Sequence, residues 1–321
     1  MNKKLRHILK IVLPLALGVL LIWYSISSAT PAEREKLWEN ISHADLFWVF
    51  LSIFCGFLSH FSRAYRWKYL LEPMGYQPKL ANRFMAVMIA YLANLGIPRS
   101  GEVLRAATLT SYENVPFEKG FGTIISERIA DLCMLLLIVG IATLLQTDNV
   151  LRYFSENNIN PFMGILVLLV LLVLGLVFVK LIRKSTHPLL VKVKNFAVGL
   201  LEGMKSILRL KRKKAFLFHT FFIWAMYVLM FYVMKFAIPE TSQLEIGAVL
   251  VAFVVGSFAI SVTNGGIGIY PIAIGAVLVW YQIDQQSGEA FGWVIWGSQT
   301  LLNIVLGGLS FVLLPVFNRR K

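Results

Sequence analysis

The feature that most constrains this chain is a series of apolar runs long enough to cross a lipid bilayer, at residues 8–26, 46–66, 121–145, 161–182, 215–237 and 290–316. A hydrocarbon core of about 30 Å is crossed by about 20 helical residues. Within such a core every backbone N–H and C=O must be bonded inside the segment, so the runs are expected to be helices. Composition agrees: 57% of the 321 residues are hydrophobic, 15% are charged and mean hydropathy is +0.69, beyond the range of an ordinary globular domain. The expected fold class is all-α, a polytopic integral membrane protein with about eight transmembrane helices. The first run follows Lys3, Lys4 and Arg6 as a signal peptide would, but it is long enough to span and is expected to be an uncleaved helix.

Two regions depart from the simple pattern. Residues 84–97 are too short to cross, and 246–282 is broken by SVTNGGIGIYP. An apolar segment interrupted by Pro or Gly in each half is the pattern of transporters built from inverted repeats, which hold substrate at the breaks. The expected organisation is one membrane domain over 1–321, with halves at about 1–145 and 161–317 and a cytoplasmic linker at 186–214. In that linker, apolar residues from Leu189 to Leu208 recur at helical spacing opposite Lys192, Glu202, Lys205 and Arg209. A helix lying in the headgroup layer and a plain connector whose charges set topology both remain open.

Charge sets the expected orientation. With the N-terminus in the cytoplasm, 27 of the 31 Lys and Arg fall on the inner side, leaving Arg34, Lys36, Arg152 and Lys235 outside. That asymmetry predicts a protein of the cell (cytoplasmic) membrane with both termini cytoplasmic. The net charge of +14 does not indicate nucleic acid, because no exposed aromatics interleave the basic residues. His7, His43, His60, His187 and His219 form no metal-ligand spacing, and there is no P-loop. No metal and no cofactor are expected. Cys55 and Cys133 sit in apolar runs and read as small buried hydrophobes.

The charged motifs lie where a lipid-facing helix would not tolerate them. In NLGIPRSGEVLRA, residues 94–106, Pro98 and Gly101 should break the backbone, and broken backbone at membrane depth needs protein or a wet cavity around it. The run before it is expected to be a re-entrant half-helix, with Arg99, Glu102 and Arg105 pairing at its turn. In SERIAD, Glu127, Arg128 and Asp131 lie inside an apolar run, with both carboxylates on one helix face and Arg128 placed to neutralise Asp131. A functional site and a static ion pair are both open there. Arg63, Arg66 and Trp67 end the second run; snorkelling to the interface explains them, and headgroup contact is an equal alternative. TNGGIG supplies Asn264, Gly265, Gly266 and Gly268 at the second break. Gln299 and Asn303 are expected to bond between helices.

The succession RAYRWKYLL, NLGIPRSGEVLRA, ISERIADL and NGGIG resembles the flippase-like transmembrane domain of the lysylphosphatidylglycerol synthase family, from about residue 5 to 316. The resemblance implies two inverted repeats with re-entrant helices that move a phospholipid or other polar lipid between leaflets. It puts the family's charged motif on Arg99, Glu102, Arg105, Glu127, Arg128 and Asp131. The soluble aminoacyl-transfer domain of two-domain members is missing, so lysyl transfer is not implied. Many members carry a proline before the glycines and a glutamate after them, where this chain has Thr263 or Asn264 and Pro271. Three functions follow as expectations. The first is a lipid translocase with a membrane lipid as partner. The second is a membrane-embedded lipid-modifying transferase with Glu127 or Asp131 as general base. The third is a structural or assembly partner of another membrane enzyme; a homo-oligomer is the other partner left open.

Overall fold

A computed structural model describes residue 16 and residues 19–97, 99–147 and 210–319. Every regular element among these residues is helical. The run at 161–182, the linker up to residue 209 and most of the 8–26 run lie outside the described residues. The first elements are α1 (Val19–Ser28) and α2 (Pro31–Ser42). A capping box starts α2: Thr30 and Glu33 satisfy each other's backbone N–H. Hydrogen bonds from the Thr30 backbone and hydroxyl hold the Glu33 carboxyl below the usual carboxylate range.

Two similar successions of helices follow. In the first, the long α3 (Leu46–Leu71) leads to the shorter α4 (Leu80–Gly96) and α5 (Ser100–Glu113), then to the long α6 (Phe117–Leu145). In the second, α7 (Lys213–Met234) leads to α8 (Ile246–Val262) and α9 (Ile269–Leu278), then to α10 (Gln285–Phe317). The four long helices are long and apolar enough to cross a membrane. Their outward faces carry large apolar side chains such as Leu136, Leu144, Phe311 and Val312, as lipid-facing helices require. Cys55 is buried as expected, whereas Cys133 lies on the exposed side of α6.

Each short pair is a helical hairpin. The chain turns after Ile97, and Arg99 takes a left-handed conformation with φ 61° at the N-cap of α5. Its side chain makes no capping bond there. Asn94 of α4 does so instead, its Oδ1 accepting from the Gly101 N–H at 2.8 Å, while Ser100 Oγ donates to Ala93 O at 3.1 Å. Gly101 packs directly on the Ala90 carbonyl, leaving no space for a Cβ. In the second half, Gly265, Gly266 and Gly268 all have positive φ, at 64°, 83° and 75°, which only glycine adopts without strain. The 246–282 stretch therefore folds as two short apolar helices joined by a tight glycine turn.

The halves meet along two seams. The buried face of α3 lies along α7, where Ser52 Oγ donates to Met230 O at 3.1 Å and Ser62 Oγ bonds His219 at 2.8 Å, while Gly56 packs on Gln299 of α10; small residues permit this close approach. Helix α10 crosses both hairpins, with Gly307 against Met88 and Leu92 of α4, and Gly288 and Gly292 against Gly275 and Pro271 of α9. Replacing Gly101 by Ala is expected to cost about 1–3 kcal/mol through overpacking. Gly96→Ala, where a Cβ meets open space, should leave stability unchanged; thermal unfolding of the detergent-solubilised protein compares the two.

Candidate functional site

The charged motifs converge, but through different pairs from those their spacing suggests. Asp131 of α6 takes Arg63 Nη1 on Oδ2 at 2.6 Å and Arg66 Nη1 on Oδ1 at 3.1 Å, both from α3. Its i,i+3 neighbour Arg128 stands 3.9 Å away. Glu127 lies 2.6 Å from Arg105 Nη1 and 3.6 Å from Arg66 Nε. Glu102 accepts from Arg128 Nη2 at 3.0 Å. Thus Glu102 and Arg105 do not pair with each other or with Arg99 at the hairpin turn. On one helix turn they point to successive residues of α6, Arg128 and Glu127, because the face of α5 that carries them packs against α6.

Arg63, Arg66 and Trp67 correct a second expectation. They are almost fully enclosed, at 3%, 0% and 0% exposure, so they do not snorkel to the interface. The α3 face that packs on α7 continues into them at helical spacing. Trp67 offers its ring to the Arg105 guanidinium at 3.8 Å and donates its indole N–H to Thr123 Oγ1 at 2.7 Å. Helix α7 adds residues that the sequence reading passed over. Thr220 accepts from Arg66 at 2.9 Å, Trp224 donates to Asp131 at 3.5 Å and Tyr227 lies 3.4 Å from Arg63. Their i, i+4, i+7 spacing of polar-tipped side chains on an otherwise apolar helix was the available signal.

The cluster is short of hydrogen bonds and in surplus of positive charge. Four guanidinium groups face three carboxylates. Arg63 Nε, Arg66 Nε and Nη2, and Arg105 Nε and Nη2 are buried without an acceptor. Both Glu127 oxygens, close as Arg105 Nη1 is, lack an aligned donor. Native interiors rarely leave so many polar atoms unsatisfied.

A cavity of about 700 Å³ opens beside the cluster, within the usual size range of ligand pockets. One wall is charged: Arg63, Arg99, Glu102, Arg128 and Asp131. The facing wall comes from the second hairpin and α10, with Thr263, Gly265, Tyr270, Trp296, Gln299 and Asn303. The tips of the two hairpins therefore line one space; a Cβ on Gly265 would stand 3.2 Å from Leu95 of α4, and Trp296 donates to the Gly265 carbonyl at 2.7 Å. Arg66, Trp67, Arg105 and Glu127 stand behind the charged wall. Gly266 and Gly268 shape the turn without lining the cavity, and the Asn264 side chain is outside the described residues. Gln299 bonds between helices as expected, to Ser52 O at 3.2 Å, while Asn303 Oδ1 is buried without a partner.

Removing one member of the enclosed pair should be costly. Glu127→Ala leaves Arg105 uncompensated and is expected to lose about 3–5 kcal/mol of stability. Arg99→Gln, at an exposed tip, should leave the unfolding midpoint unchanged; the two unfolding curves measured side by side check this.

Comparison with known proteins supplies an independent view. Residues 11–308 match the family model described as the lysylphosphatidylglycerol synthase TM region. Among similar proteins, a UPF0104 membrane protein of Methanocaldococcus jannaschii is 26% identical over 105 residues, 32% of this chain and 31% of that protein. The glycosyltransferase AglD of Haloferax volcanii is 33% identical over 81 residues, 25% of this chain and 12% of that protein. The chain thus matches less than a third of the length of either relative. No solved structure matches. With nearly the whole sequence from the first apolar run to the last accounted for by one family, the chain is a membrane protein belonging to the lysylphosphatidylglycerol synthase transmembrane-region family.

Proposed function

We propose that this protein moves an anionic polar lipid between leaflets of the cell membrane, receiving the headgroup in the 700 Å³ cavity while the acyl chains stay on apolar helix faces. In this reading both termini are cytoplasmic, the two hairpins are re-entrant and the two successions of four helices are inverted repeats. The observation that carries it is the meeting of both hairpin tips on one cavity whose charged wall has more arginine than carboxylate. Discontinuous helices converging on a polar space are how many transporters hold substrate.

The wall also suggests the step that admits the headgroup. Arg128 is the most accessible arginine of the cluster and is held by Glu102, which belongs to the first turn of α5. A phosphate oxygen presents the same bidentate target to a guanidinium as a carboxylate does. In the proposed step an anionic headgroup takes Arg128 together with Arg63, and Glu102 is released with the hairpin that carries it. A lipid-modifying transferase would need an available general base; Glu127 and Asp131, the two acids suited to that role, are each already held by arginines.

The test uses vesicles containing the full-length protein and headgroup-labelled phosphatidylglycerol, with dithionite bleaching the outer leaflet. Arg128→Gln is expected to slow lipid movement by at least about tenfold, the effect of losing one charge-assisted contact of about 1.5–3 kcal/mol. Glu102→Gln, which removes the competing anion, should bind the labelled lipid more tightly than the unmodified chain. Unchanged movement and unchanged binding in both variants would sink the proposal.

A further inference from the structure

A second cavity, of about 320 Å³, lies between α1, α2 and the N-terminal end of α10, and shares no lining residue with the first. On α10, Glu289 of its wall is six residues from Ile295 of the first cavity, about 9 Å along the helix. The two spaces are therefore separate sites on one long element.

Glu289 is the unusual residue. Three carboxylate side chains are buried among the described residues: Glu127, Asp131 and Glu289. The first two are compensated by arginines. Glu289, 6% exposed, meets only neutral donors: Ser25 Oγ at 3.0 Å on Oε2 and Gln285 Nε2 at 2.9 Å on Oε1. An ionised carboxylate offers about four acceptor positions, so these two donors leave it half-satisfied. Of the cations close by, Lys36 is paired with Asp284 at 2.9 Å, and Arg34, which also lines the cavity, turns its guanidinium to the carbonyls of Ala29 and Ser27 at 3.0 and 3.4 Å and not to Glu289. Glu33 is committed to the cap of α2.

We propose that this cavity binds an organic ammonium group, with Glu289 as its counter-ion and the rings of Tyr24 and Trp38, which also line it, as its cation–π faces. A buried charge inside a membrane protein is expensive without a partner, and an ammonium ion entering from solvent or carried on a lipid headgroup supplies that partner. Aromatic faces favour an organic cation. A hard divalent metal would demand more oxygen ligands than one carboxylate and neutral donors provide. The site does not depend on the translocase reading, since its charge preference is opposite and its residues are distinct.

Binding is tested on the full-length protein in phosphatidylglycerol nanodiscs by following the unfolding midpoint. One arm titrates ethanolamine and tetramethylammonium; the other replaces part of the lipid with phosphatidylethanolamine or phosphatidylcholine. A saturable stabilisation in the first arm identifies a free amine as ligand, and one confined to the second identifies a headgroup. Either supports the proposal when Glu289→Gln, which can keep the Ser25 contact, abolishes it. Trp38→Leu, at an exposed position that should not impair folding, is expected to weaken it about tenfold through the lost cation–π contact. Arg128→Gln, impaired in anionic-lipid movement under the first proposal, should respond as the unmodified chain does, so either reading can fail without the other. No stabilisation in either arm, or one that survives both Glu289→Gln and Trp38→Leu, overturns the inference.

Discussion

The structure depends on one electrostatic constraint: charges enclosed in an apolar helical body must find partners, because desolvation of an unpaired guanidinium or carboxylate costs several kcal/mol or more. Arg63, Arg66, Arg105, Glu127 and Asp131 meet that requirement only when α3, α5 and α6 stand at one depth and rotation relative to each other. A shift of one helical turn, about 5.4 Å, would separate them. Apolar packing alone is permissive about such sliding, since one leucine contact much resembles another. The ion pairs are not, and with Thr220 and Trp224 they tie α7 into the same register.

Backbone geometry makes the complementary contribution. The hairpins exist because glycines stand where side chains would collide or where φ is positive: Gly101 on the Ala90 carbonyl, and Gly265, Gly266 and Gly268 in the second turn. Helix α10, against which both hairpins pack, repeats the device with Gly288, Gly292 and Gly307. Close approach along these seams brings two tips from distant parts of the chain to one space. The cavity thus lies where the turns of two short helix pairs meet.

Its two walls differ in chemistry. The wall from the first half is charged and inherits its arginines from the cluster behind it; the wall from the second half is aromatic and neutral-polar. The Glu102–Arg128 pair is the part of the charged network that reaches the cavity with the least enclosure. Glu289, also buried, differs in that the groups it meets, Ser25 and Gln285, are neutral donors and not cations.

Much of this was legible before folding. Run lengths established helices at membrane dimensions, Pro and Gly marked the two interruptions, and the rarity of charge in apolar surroundings singled out Glu102, Arg105, Glu127, Arg128 and Asp131. Partners were another matter. Sequence spacing reports only neighbours on the same helix: Glu102 and Arg105 each meet a residue of α6 and not one another, while Arg128 does stand 3.9 Å from Asp131, although Glu102 holds Arg128 more closely and Arg63 and Arg66 hold Asp131 more closely. Arg63, Arg66 and Trp67 looked interfacial because their position near a helix end is visible in the sequence, while the neighbours that enclose them, α6 and α7 around the arginines and α4, α5 and α6 around Trp67, are not. Residue type and periodicity determined which segments are helical, where they break and which charges need an explanation; the rotation and depth of each helix against its neighbours, which no local pattern encodes, decided which charges meet and that both breaks open onto one cavity.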